Sequence, residues 1–211
     1  SQNAGANAYN VAIGHNAGIS VSTGAFNTLV GGIAGDALTE GNTNTALGYR
    51  SLSAETLGDA NVAIGSNALQ NQNNTSDTDV YNVAVGASAG QSTTTGTNNT
   101  IIGGQAGDAL TTGSFNVALG KSALSTEDAH GRNVAIGYAA LETQDAGTDA
   151  NNVAVGFNAG NAVTTGVQNT LIGGAAGDAL TEGDNNIIIG YNAAASAVGV
   201  DNEITLGDAN I

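Results

Sequence analysis

Asn10-Val11-Ala12-Ile13-Gly14 is the stretch that the remainder of the chain repeats with variations. Its closing glycine returns at Gly31, Gly48, Gly65, Gly86, Gly103, Gly120, Gly137, Gly156, Gly173, Gly190 and Gly207, in steps of 17 residues except for one of 21 and one of 19. A unit copied twelve times at a nearly constant period is the signature of a solenoid. Each copy has the chemistry of a short strand closed by a turn. The residue before the glycine is always Ile, Val or Leu, and the residue two places earlier is Val, Thr or Ile. Such β-branched residues favour strands, and positions two apart share a face. The residue between them is Ala, Leu or Ile in every copy but the last, which has Thr205. Both strand faces are therefore apolar, and a coil's own interior covers only one of them. A further surface is expected to cover the other.

The other positions outline the coil. Three residues after the closing glycine stands Ala in ten of twelve copies, with Ser51 and Asn210 as exceptions, so a thin coil is expected. Ten residues after it a second glycine appears as Gly24, Gly41, Gly58, Gly96, Gly113, Gly147, Gly166 and Gly183. Glycine supplies the positive backbone angles of tight corners, so two glycine corners predict two strands per coil. Asn opens the strand in eleven of twelve copies, which predicts a ladder of stacked Asn side chains ending at Glu203. A larger period of four coils divides the chain into groups 10–81, 82–151 and 152–211, consistent with block duplication. The irregular spacings fall at the group junctions, in residues 70–81 and 142–151, which are rich in Asn, Asp and Thr and are expected to bulge from one edge as solvated loops.

Composition narrows the function. The 211 residues contain 32 glycines, no Pro, Cys, Met or Trp, and only eight aromatic residues, so each coil has little core of its own. Stacking and oligomerisation are expected to supply the missing burial. Arg50, Lys121 and Arg132 face eighteen acidic residues, giving a net charge of −15, which repels nucleic acid and anionic lipid. Neither is an expected partner. No run is apolar enough to span a bilayer as a helix, and no signal peptide is visible. A start at Ser1 and an end within a repeat suggest a piece of a longer polypeptide.

The repeated Asn-Val-Ala-Ile-Gly-x-x-Ala resembles the head repeat of trimeric autotransporter adhesins, a left-handed parallel β-roll whose three chains associate side by side. The Asn-Thr-Leu-Ile-Gly-Gly and Thr-Thr-Gly-x-x-Asn-Thr elements are more similar to the repeat arrays of phage tail-fibre proteins. Asn202-Glu203-Ile204-Thr205-Leu206-Gly207-Asp208-Ala209-Asn210-Ile211 resembles the segment that precedes the trimerising, self-cleaving chaperone of such fibres. The resemblance implies an all-β, homotrimeric parallel β-solenoid of about twelve 17-residue coils, serving in the virion as a tail-fibre segment. Twelve parallel coils would form a rod of roughly 55 to 60 Å. The alternatives are the head of a bacterial surface adhesin and a polysaccharide-degrading tail spike.

No catalytic residue, metal ligand or cofactor is expected, and the chain reads as a non-enzyme. Gly120-Lys121-Ser122 has the end of a phosphate-binding loop, but Phe115 stands where its first glycine belongs, and the tripeptide is an in-register copy of Gly48-Tyr49-Arg50-Ser51. Gly31-Gly32-Ile33-Ala34-Gly35-Asp36 approaches a calcium-binding repeat, yet Asp36, Asp108 and Asp178 are four coils apart rather than stacked. Glu127-Asp128 reads as part of an acidic solvated face rather than a glycosidase pair. His15 and His130 read as surface residues. Tyr49, Tyr138, Phe157 and Tyr191 follow closing glycines, where Tyr138 and Phe157 can stack. If this segment binds a receptor, contact is expected at the junction loops, with Asn73, Asn74, Thr75, Asp77, Asp79, Tyr81, Asp145, Thr148 and Asp149 as candidates and a host cell-surface glycan as the partner they suit; the alternative is that the insertions are neutral scars of block duplication.

Overall fold

A computed structural model describes residues 8–208; Asn210 and the end of the 202–211 segment lie outside these residues. The chain is a parallel β-solenoid with no helix among the described residues. Twelve three-residue strands form one sheet in chain order: β1 (Val11–Ile13), β2 (Thr28–Val30), β3 (Thr45–Leu47), β5 (Val62–Ile64), β7 (Val83–Val85), β8 (Thr100–Ile102), β9 (Val117–Leu119), β10 (Val134–Ile136), β11 (Val153–Val155), β12 (Thr170–Ile172), β13 (Ile187–Ile189) and β14 (Ile204–Leu206). Every pairing is parallel, and equivalent positions face one another, as in Ala12 opposite Leu29. The longer junctions do not disturb this register, since Ala63 pairs with Ala84 and Ala135 with Ala154.

Two strands per coil, expected from the two glycines, is not what forms. The far side of the coil is regular only where β4 (Gly58–Asp59) pairs with β6 (Thr78–Asp79). Elsewhere it is a ladder of backbone bonds between coils, such as Ser22 N–H to Thr39 O and Thr43 N–H to Ala25 O. A left-handed residue just before each strand-opening Asn interrupts it, as at Phe26 (φ 60°), Asn98 (φ 57°) and Phe115 (φ 62°). The two glycine sets also differ in their reason for being glycine. The closing set has positive φ, +140° at Gly120 for example, whereas the second set does not, apart from Gly147. At the second corner a Cβ on Gly24, Gly96 or Gly166 would instead collide with the carbonyl oxygen of the next coil. Close backbone approach, not a corner angle, excludes a side chain there.

The core accounts for the four-coil period. From the second coil to the eleventh, the middle strand residue and the residue three after the glycine point inward and are fully buried, as at Leu29 and Ala34 or Ala46 and Ser51. Where the strand carries Leu29, Ile101 or Leu171, the residue four after the closing glycine is Gly35, Gly107 or Gly177; where it carries Ala46, Ala63, Ala118 or Ala135, that residue is Leu52, Leu69, Leu124 or Leu141. Large and small alternate across a narrow interior, the solution close packing requires. A Cβ on Gly90 would press on Ile101 and Leu69, and one on Gly160 on Leu171 and Leu141, so adjacent coils fill the space that these glycines leave.

The Asn ladder forms, mainly between side chain and backbone. Asn99 donates its backbone N–H to Asn82 Oδ1 (2.9 Å), accepts the N–H of Asn116 on its own Oδ1 (2.9 Å), and donates Nδ2 to Gly113 O (2.9 Å). Direct side-chain links occur as well, from Asn61 to Asn44 (3.1 Å) and from Asn186 to Asn169 (3.0 Å). The ladder closes at Glu203, whose N–H still reaches Asn186 Oδ1 (2.9 Å).

Candidate functional site at the junction loops and the strand face

Both junction loops leave the coil at the same point. Asn73 N–H bonds Thr94 O and Asp145 N–H bonds Thr164 O, each eight residues after its closing glycine. The chain is back in register where Val80 O accepts Asn98 N–H and Ala150 O accepts Gln168 N–H. Six residues in the first loop and four in the second thus occupy the place of two in an ordinary coil. The loops lie four coils apart on one edge.

In the first loop Asn73, Thr75, Asp77, Asp79 and Tyr81 are exposed. Asn73 Oδ1 accepts the Thr56 hydroxyl (2.9 Å), and the Tyr81 hydroxyl donates to Asp79 Oδ2 (2.8 Å). That carboxylate holds the Tyr81 phenol above its ordinary pKa. Burial, opposed by hydrogen bonds from Asn42 and reinforced by nearby Asp77, raises the pKa of Asp59. Asn74 does not belong with the exposed candidates. It is 6% exposed, and its backbone N–H donates to the Glu55 carboxylate (3.1 Å), so its work is structural. In the second loop Asp145, Thr148 and Asp149 are exposed. Asp149 accepts the Gly131 N–H (3.1 Å) and pairs with Arg132 (3.2 Å), which ties this loop to the coil below.

Seven residues after the closing glycine runs a column that the sequence reading did not single out. Val21, Leu38, Glu55, Gln72, Thr93, Leu110, Glu127, Gln144, Val163 and Leu180 are all buried in it. Aligning the coils on this column exposes a Glu–Gln pair in the third and fourth coil of a group, a signal visible as two charged residues in a column that is otherwise aliphatic apart from the glutamines and Thr93. The glutamines are satisfied alike: Gln72 accepts Asn82 Nδ2 (2.7 Å) and donates to Thr94 O (3.1 Å), while Gln144 accepts Asn152 Nδ2 (2.5 Å) and donates to Thr164 O (3.1 Å). Glu55 Oε1 accepts the N–H groups of Thr56 (2.9 Å), Gly58 (2.9 Å) and Asn74 (3.1 Å), and Oε2 takes longer bonds from Asn74. Glu127 is not part of a solvated acidic face. Its side chain is fully buried, and burial pushes its carboxyl above the ordinary pKa, opposed by the His130 N–H and the imidazole and reinforced by Asp145 and Asp128. His130 is half-buried against it rather than free at the surface, with Nδ1 3.6 Å from Glu127 Oε1. His15 is exposed as expected.

The strand face that turns away from the core stays uncovered. Ile13 is 61% exposed, Leu47 45%, Leu119 42% and Leu206 68%, while the outward Val and Ile of the central strands are half-buried by their neighbours along the sheet. All eight aromatic residues are exposed too, and they occupy only two coil positions. Tyr49, Tyr138, Phe157 and Tyr191 follow a closing glycine; Tyr9, Phe26, Tyr81 and Phe115 precede a strand-opening Asn. They line both edges of the strand face. Tyr138 stacks on Phe157 with centroids 5.2 Å apart, and Tyr9 on Phe26 at 5.7 Å. Lys121, the residue in the phosphate-loop-like tripeptide, lies 5.6 Å from the Tyr138 ring. No family model matches the chain, and no curated protein or solved structure was found to be similar to it.

Proposed function

We propose that this chain is a structural and adhesive fibre segment: a parallel homotrimer that carries or spaces a host-receptor-binding surface, most simply within a phage tail fibre. The observation that carries the reading is the outward strand face, mostly apolar and covered by nothing but its neighbours along the sheet, with every aromatic residue of the chain at the two positions that flank it. Soluble monomers rarely leave so long an apolar patch in water. A second copy of the same repeat matches it coil for coil, because one coil period governs both surfaces, and the net charge of −15 leaves this face as the place where identical chains can meet with least repulsion. The similarity of Asn-Thr-Leu-Ile-Gly-Gly to tail-fibre repeats supports three chains and a place on the virion.

Light scattering should give the mass of three 20.5 kDa chains. Glutamate at Val134 and Val153, outward neighbours in β10 and β11, should prevent association. A folded monomer of the unaltered chain at working concentration would overturn the trimer. The receptor surface assigned to the loops has its own test. Deleting residues 75–78 and 147–148 restores the 17-residue spacing while keeping Asn74 for Glu55 and Asp149 for Arg132. The variant should remain trimeric and lose adsorption to host cells; unchanged adsorption would make this segment a spacer.

A further inference from the structure

We propose that Glu127, Asp128 and His130 form a binding site for a divalent transition-metal ion of the zinc class. One ligand atom from each of the three lies within 4.8 Å of the others. The buried Glu127 is a second and separate indication. Its side chain is wholly shielded from solvent, yet Oε2 has no hydrogen-bond partner, and the adjacent His130 Nδ1 has none either. A buried carboxylate oxygen and a buried imidazole nitrogen, both without a hydrogen-bond partner in one cluster, are costly to leave unfilled. A cation bonded to both would satisfy them together.

The chain supplies its own control. Glu55 holds the same position one four-coil group earlier, and there Oε1 accepts the backbone N–H groups of Thr56, Gly58 and Asn74, while Oε2 takes longer bonds from the Asn74 N–H (3.4 Å) and Nδ2 (3.5 Å). The coil therefore does not require an unfilled oxygen at this place. Between the two copies Glu55-Thr56-Leu57-Gly58 becomes Glu127-Asp128-Ala129-His130. The changes bring in a carboxylate and an imidazole, while only the His130 N–H (3.1 Å) remains to donate to Glu127. Asp145 in the next coil adds negative potential, and Arg132, two residues after His130, is paired with Asp149.

Two carboxylates with one imidazole suit zinc-class ions, whereas calcium and magnesium prefer all-oxygen shells. Metal–ligand bonds of about 2.0 to 2.2 Å bring donors closer together than they stand here. Asp128 is exposed and can swing inward to close the difference. Three protein ligands leave room for a water.

The chain's own repeats dictate variants that keep the fold. Gln stands at the Glu127 position in Gln72 and Gln144, and Gly stands at the His130 position in Gly58 and six other coils, so Glu127→Gln and His130→Gly each reproduce a sequence the coil already accepts. The full chain, stripped with a chelator, would be titrated with Zn²⁺ and separately with Ca²⁺ by calorimetry, and its thermal unfolding followed. One Zn²⁺ per chain is expected, with a raised unfolding temperature and no comparable effect of Ca²⁺. E127Q and H130G should each weaken Zn²⁺ binding by at least about tenfold. Absence of saturable Zn²⁺ uptake would overturn the site in favour of a plain His–Glu ion pair. Equal uptake by the parent and either variant would overturn it in favour of surface carboxylates, and tighter Ca²⁺ than Zn²⁺ binding would overturn the imidazole's part.

Discussion

At the scale of single residues the coil depends on backbones that approach too closely for side chains, and on side chains that replace missing backbone partners. Gly120 has φ +140° and lies against the carbonyl of Gly137, so Gly120→Ala combines conformational strain with a clash. Strain alone costs about 1 to 3 kcal/mol, so a loss of at least about 3 kcal/mol is expected in denaturant unfolding. Gly147 separates the two effects. Its φ is +66°, but a Cβ there would meet nothing within 4 Å, so Gly147→Ala should cost only about 1 to 2 kcal/mol. Equal losses at the two positions would refute the assignment of crowding to the closing glycine. L-residues also take left-handed angles, as Ile33 does at φ 53°. The inter-coil bond from Ile33 N–H to His15 O (2.8 Å) offsets part of that strain.

Single elements here are three-residue strands, too short to stand alone, so an end coil shows what its own bonds contribute. β14 has a neighbour on one side only, and Glu203 occupies its Asn position. The Glu203 carboxylate accepts from the Ser196 N–H (3.0 Å), the Ser196 hydroxyl and the Thr205 hydroxyl (2.6 Å), drawing together the loop before β14 and the strand itself. The hydroxyl bonds of Ser196 and then Thr205 hold its pKa below the ordinary 4.5. A carboxyl with a depressed folded pKa stabilises fully above the unfolded value, and that contribution is lost as pH falls through the folded one. Protection of the Ser196 and Thr205 amides, measured against their intrinsic exchange rates, should therefore be high near neutral pH and fall below about pH 4.5. Glu203→Gln should remove this acid dependence. A protection profile that acid leaves unchanged in the parent would show that the terminal coil does not depend on the carboxylate.

For the whole molecule, the four-coil group and not the single coil is the unit that can be removed. Deleting residues 82–151 joins Tyr81 to Asn152 and brings Val153 to the place of Val83 beside β5, with similar core residues on both sides. Such a chain should fold with an unfolding cooperativity reduced in proportion to its length, as for other repeat proteins. Deleting the single coil 99–115 keeps the strand register but takes Ile101 out of the space above Gly90 and puts Ala118 in its place. A large-to-small change of that kind costs about 2 to 5 kcal/mol. Comparable stability per coil in the two deletions would mean that the alternation of large and small residues does not matter. The exposed strand face belongs to this scale as well, because no residue within one chain covers it among those described.

The solenoid, the period, the strand positions, the Asn ladder and the Tyr138–Phe157 stack follow from the sequence alone. Parallel coils in register place equivalent residues in one column, so any constraint on a column is written as a repeat. Other features depend on what neighbouring coils bring to a place, and that the period does not state. The side chains of Glu127 and Asn74 look solvated as sequence, since acids and amides usually are, but stacking buries them. Gly24 and Gly147 look alike in the repeat, yet crowding by the next coil demands one and a left-handed φ the other. A two-glycine coil suggested two strands, whereas left-handed residues before each Asn leave only one except where β4 pairs with β6. Both strand faces read as apolar; the narrow interior decided that Ala, Leu and Ile turn inward while the Val and Ile ridges face out, because the small coil has room only for the alternating set.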